Sequence, residues 1–298
     1  FAVIAFGLLL FDALLLQSTS EEESPFDIPG ILRPTLDHRF IAAILASGLA
    51  IFILAGRGLM YYLVMALFFS LILVRAFVVR STDERIGSLA LVIAGSFTLI
   101  VTQIAFLPYF HRTADTILHT ALAVRIARTG SIQSASPGRY GNLPVFHTIM
   151  ASLIQMTLQH SRFLIGVAMG AVFQAAVVAF YVLLRKLNES TAVSLSGAVL
   201  MAVSTPFLGW GTENHAQSLS FVFFMAFLLF LTTRLNDRRY TILTVAVIIT
   251  WVLTHQLTLL MAIALVGVPL GILYAYSTIH QTSYKTQVMT AWYRFSIL

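Results

Sequence analysis

Asp115 and His119 stand four residues apart in "HRTADTILHTALAVRIARTG" (residues 111–130), with Arg112 just upstream. On a helix this spacing puts them on one face. The face then carries a carboxylate able to accept a proton, an imidazole titrating near neutrality and a guanidinium suited to phosphate. A positioned carboxylate is what a general base requires, and an arginine is what a departing phosphate requires. Asp115 can equally be a helix N-cap, the commonest use of Asp at a helix start. Arg125 and Arg128 continue the basic character, as phosphate ligands or as groups solvated beside lipid headgroups. Gly130 is expected to end the helix, because glycine accepts the left-handed backbone of a helix terminus.

Three further stretches collect titratable groups. "GWGTENHAQSLSF" (209–221) holds Glu213 and His215, in a ligand site or in a wet turn whose Trp210 joins an aromatic belt. "WVLTHQLTLL" (251–260) interrupts an apolar run with His255, facing a cavity or capping a helix. "GRYGNLPVFH" (138–147) supplies Arg139, Tyr140 and His147 around a Gly/Pro-marked loop.

The elements that must position these residues are set by composition. The chain of 298 residues is 58% hydrophobic and 10% charged, with a mean hydropathy of +0.89. A soluble domain carries about 25% charged residues, so this chain belongs in lipid. Apolar runs at 40–56, 59–74, 86–108, 163–184, 191–208, 217–233, 240–254 and 257–276, with a further one at 1–16 containing Asp12, lie near the length a bilayer crossing needs. The expected fold is an all-α polytopic membrane protein of about nine transmembrane helices, with interfacial helices in a large external loop. Residues 1–84 form the leading helices and 85–298 the functional module, and the chain reads as a fragment of a longer protein. The net charge of +6 reflects basic loops rather than nucleic-acid binding. The absence of cysteine excludes disulfides and thiolate metal sites.

Charge sets an orientation. With 109–143 placed outside, Arg33, Arg39, Arg75, Arg80, Arg85, Arg185, Lys186, Arg234, Arg238, Arg239, Lys285 and Arg294 fall inside. Arg57, Arg112, Arg125, Arg128, Arg139 and Arg162 fall outside, in accord with the positive-inside rule. The parity of crossings between residue 143 and Arg185 then requires that 144–158, interrupted by His147 and Gln155, be a helix lying in the interface. In this orientation 109–143 and 209–216 are external, and Asp115 and Glu213 are the external carboxylates. Gly166 and Gly170 form a GxxxG pair expected to pack helices. The Asn188-Glu189-Ser190 sequon lies on the internal side.

Over about 85–275 the chain resembles the GT-C class of membrane glycosyltransferases, which includes protein O-mannosyltransferases, aminoarabinose transferases and oligosaccharyltransferase catalytic subunits. The resemblance rests on "ADTILHTALAVRIARTGSI", "RYGNLPVFHTIMASL", "VAFYVLLRKL", "STPFLGWGTENHAQSLSF" and "THQLT", in that order. It implies transfer of a sugar from a polyprenyl-phosphate donor to an acceptor at the outer face of a cell membrane. It implies that Asp115 and Glu213 are catalytic, and that Asp115, Glu213 and His215 hold a divalent cation such as Mg or Mn. Arg112, His119, Arg125, Arg139, Tyr140, His147 and His255 would then contact substrate. Where family members pair acidic residues, this chain has the lone Asp of "TADT", which puts metal dependence in question. Asp115 and Glu213 are expected to share one cavity. The rival classes are a multi-pass transporter or sensor with an external His/Arg vestibule, and a haem or quinone protein using His pairs.

Overall fold

A computed structural model describes residues 34–79, 81–106, 114–132, 144–157, 162–187, 189–213, 216–232 and 238–280. Among them every regular element is helical. After a 3₁₀ turn at Pro34–Leu36 come α1 (His38–Ala55), α2 (Leu59–Ala76), α3 (Thr82–Phe106), α4 (Ala114–Thr129), α5 (Pro144–Thr157), α6 (Arg162–Lys186), α7 (Thr191–Val203), α8 (Thr205–Thr212), α9 (Ala216–Leu231), α10 (Arg238–Val252) and α11 (Gln256–Ala262). A π-helical turn, Ile263–Gly267, then leads into α12 (Val268–His280). The chain divides into two compact units, residues 1–113 with 161–214 and residues 114–160 with 215–298.

The first unit is built from long apolar helices. Among the described residues four helical stretches, His38–Ala55, Leu59–Ala76, Thr82–Phe106 and Ile165–Lys186, are long and apolar enough to cross a membrane; α7 and α8, bent by 56°, make a fifth if taken as one span. The expectation of about nine is thus matched only in part. Helices α9 and α10 occupy expected positions but have 16 and 15 residues, about 24 and 22 Å, shorter than a hydrocarbon core of about 30 Å. Residues 1–16 lie outside the described residues. Leu54, Ile53, Leu59, Met60 and Leu63 present apolar side chains outward from α1 and α2, as lipid-facing helices do.

Contacts fix the directions of these helices. Tyr61 meets Thr102, Gly95 abuts Phe68 and Phe69, and Arg75 meets Ser88, so α2 and α3 run antiparallel. Gly166 faces Ile104 and Gly170 faces Ile100, so α3 and α6 do too. The GxxxG pair therefore packs helices as expected: a Cβ at Gly170 would lie 2.8 Å from Ile100, and only a missing side chain allows the approach. At one end of the α2/α3 hairpin the buried Arg75 donates from Nε to Ser88 Oγ at 3.0 Å and from Nη1 to the Leu36 carbonyl. Its charge is thereby given protein acceptors rather than left bare.

In the second unit α9 is buried on nearly all sides, the mark of a central helix. Trp251 of α10, fully buried, packs its ring against Phe224 and Phe227 of α9.

Candidate functional site

Helix α4 forms where the sequence places it, and it ends where expected. Gly130 has φ 66° and its N–H donates to the Ile126 carbonyl at 2.8 Å, the left-handed termination only glycine adopts cheaply. His119, Leu122, Ala123 and Ile126 are buried at the i, i+3, i+4, i+7 spacing of one helical stripe. Asp115 occupies the register position one turn before His119. Arg125 and Arg128 are exposed.

The stripe meets α5. His119 is 5% exposed and His147 2% exposed, and His119 Nδ1 lies 2.8 Å from His147 Nε2. Phe146 stands edge-on to both imidazoles, with centroids 5.5 Å from each. Beyond the histidines Leu122, Ile126 and Ala151 form an apolar cluster. Past that, Gln155 Nε2 donates to the Ala127 carbonyl at 2.9 Å.

These contacts give the direction of the pair. His119 matches His147 and Ala127 matches Gln155, so both helices advance eight residues together and run parallel. At 14 residues, α5 is about 21 Å long, too short to cross a bilayer alone. The two polar residues that interrupt its apolar sequence, His147 and Gln155, are the ones that join it to α4. Sequence reasoning took them only as interruptions of the apolar run. Their eight-residue spacing, which keeps both near one helix face, was the available signal.

A histidine pair at this separation shares a proton, one ring donating and the other accepting. It can hold two protons as two neutral rings, or three as one imidazolium donating to one imidazole. A fourth would put like charges in contact inside the fold and break the bond. Within such a pair a proton can pass from one ring to the other.

His255 takes the capping role. It is the N-cap of α11, with its Nδ1 accepting the Thr258 N–H at 3.3 Å, which leaves Nε2 to carry the ring proton. Thr258 Oγ1 donates to the His255 carbonyl at 2.9 Å and accepts from Trp251 Nε1 at 3.0 Å. "THQLT" is thus a helix break closed on itself. Just before it, the Leu253 carbonyl accepts the Val145 N–H at 3.4 Å. An early N–H of α5, lacking a partner in its own helix, meets the exposed end of α10. Two residues from His147, this bond seats α5 on the break.

Glu213 belongs to the first unit and Asp115 to the second. Glu213 ends α8, its N–H donating to the Trp210 carbonyl at 3.3 Å. Arg112, Arg139, Tyr140 and His215 lie outside the described residues, as does the carboxylate of Asp115. Among the described residues no three His, Cys, Asp or Glu side chains come together as a metal-binding group. No family model matches the chain, and no curated protein or solved structure matches it.

Proposed function

We propose that this chain is a multi-pass membrane glycosyltransferase, moving a sugar from a polyprenyl-phosphate donor to an acceptor at the outer face, where 109–143 and 209–216 lie. The observation that carries the reading is the buried His119–His147 pair, one helical turn from Asp115 on α4. A carboxylate on the same helix as a histidine pair able to relay a proton suits general-base activation of an acceptor.

The step balances within the chain's own groups. The acceptor oxygen forms a bond to the sugar's anomeric carbon as the bond from that carbon to the phosphate oxygen breaks, and the electron pair leaves with the phosphate. The acceptor's proton passes to Asp115, whose role is that of a positioned base. His119 and His147 take the proton onward, going from two neutral rings to one shared cation. Arg112, Arg125 and Arg139 meet the charge developing on the phosphate. Tyr140 contacts substrate, and Glu213 and His215 keep the ligand roles that the GT-C resemblance implies.

The test is sugar transfer from a labelled polyprenyl-phosphate sugar by membranes carrying wild type or Asp115→Asn. Loss of about 10²–10⁴-fold in transfer, with insertion and melting unchanged, is expected. Full transfer by the variant overturns the reading. So does a wild-type protein that moves solute across vesicles without forming a glycoside.

A further inference from the structure

The turn between α1 and α2 holds an arginine that the proposed chemistry does not use. Arg57 follows Gly56, whose φ is 70°, and precedes Gly58, the N-cap of α2, which makes no side-chain cap. Both helices are long and apolar enough to cross a membrane, so the three-residue turn joining them stands at a bilayer face. Arg57 is partly buried there.

Its guanidinium is held in place. Nη1 donates to Gln103 Oε1 of α3. Cζ stands 5.7 Å from the Tyr61 ring and 5.2 Å from the Tyr62 ring, within the range of cation–π attraction. Tyr61 is itself fixed through a 2.6 Å hydrogen bond between its hydroxyl and Thr102 Oγ1.

The charge, however, is unbalanced. Gln103 is neutral, the rings offer only their faces, and no carboxylate among the described residues pairs with Arg57. Its Nε is buried without a hydrogen-bond partner. Removing a charge from water without a counter-ion is costly, so partly buried cations recruit anions. Arg75, in the same hairpin, has a hydroxyl and a carbonyl to donate to. The first N–H groups of α2, uncapped beside Arg57, add positive potential at the same place. The exposed Tyr62 ring lies at this depth, where tyrosines sit among lipid headgroups.

We propose that Arg57, with Gln103, Tyr61 and Tyr62, forms a binding site for the phosphate of an anionic phospholipid at the end of the α1/α2 hairpin. Arginine suits the task because its remaining terminal N–H groups can donate to a phosphate while its charge is held near the Tyr61 and Tyr62 rings. The inference rests on the membrane reading of α1 and α2 and is independent of the glycosyltransferase proposal.

The full chain in phosphatidylcholine nanodiscs, titrated with phosphatidylglycerol, tests it. Native mass spectrometry counts retained phosphatidylglycerol, and melting reports the stabilisation that lipid gives. Wild type is expected to hold one phosphatidylglycerol that Arg57→Gln binds about tenfold more weakly, the scale of one charge-assisted hydrogen bond. Arg57→Lys falls between, and Arg39→Gln, an exposed site, behaves as wild type. Melting in phosphatidylcholine alone stays level for Arg57→Gln, so that only the lipid-dependent increment is lost. Equal retention by wild type and Arg57→Gln overturns the proposal, as does equal loss in Arg39→Gln. Binding of inorganic phosphate by lipid-free protein in detergent, abolished by Arg57→Gln, would assign the site to a soluble phosphate and also overturn it.

Discussion

The two units use opposite means to hold polar groups. In the first, the long helices and the bent α7/α8 pair alike pack through glycines, and polar contacts are added to an apolar frame. Gly95, Gly170, Gly197 and Gly211 each admit a neighbouring side chain where a Cβ would collide. In the second, the helices are short and the polar contacts set the arrangement. His119 with His147, Gln155 with Ala127, and Val145 with Leu253 fix α4, α5 and the α10/α11 break. A long apolar helix satisfies its backbone internally and draws order from packing. A short helix exposes a large share of orphan N–H and C=O groups. Short helices therefore need side-chain or cross-helix partners, and the same partners are available for chemistry.

Several substitutions would break or sharpen this contrast. The largest effect is expected in the first unit. Gly95→Leu drives a side chain into the rings of Phe68 and Phe69, which cannot both yield inside a packed hairpin. A loss of about 3 kcal/mol or more, or failure to insert, should appear in detergent melting. A change within measurement error would show that glycine contacts do not organise this unit.

The histidine pair comes next. His147→Leu should cost about 2 kcal/mol by removing a buried partner of His119. A cycle with His119→Phe and the double variant should give a coupling of about 1–2 kcal/mol. Additive losses would mean that the 2.8 Å bond contributes shape alone.

At the helix break, His255→Ala removes the cap and is expected to cost about 1 kcal/mol, whereas His255→Asn, still able to accept at the N-cap, should recover most of it. Equal loss in both variants would place the importance of His255 in contacts other than the cap. The smallest effect belongs to Gly130→Ala. Nothing lies within 4 Å of the added carbon, so the cost is the left-handed backbone alone, about 1 kcal/mol. Because α4 ends there, a larger loss would show that the terminus also holds α5.

Much of this was legible in the sequence, and the reasons are local. A run of apolar residues about the length of a bilayer is a helix wherever it occurs, because backbone groups in lipid have no other partners. The positions of α1, α2, α3 and α6 follow. The end of α4 at Gly130 and the packing role of Gly166 and Gly170 follow likewise, each resting on a side chain that is missing. The helical register of Asp115 and His119, and the shortness of α5, were also set by nearby residues. Only the tertiary structure decided what His119 touches. His147 lies 28 residues away, on a helix running parallel to α4 rather than back along it, and no local pattern distinguishes a histidine that pairs from one that meets solvent. Tertiary structure alone also decided that His255 caps a helix, and set Arg57 beside the Tyr61 and Tyr62 rings with its Nε unpartnered. Helix formation is governed by the nearest few residues. The pairing of polar groups depends on which helices meet and in which direction, and that is settled only when the whole chain packs.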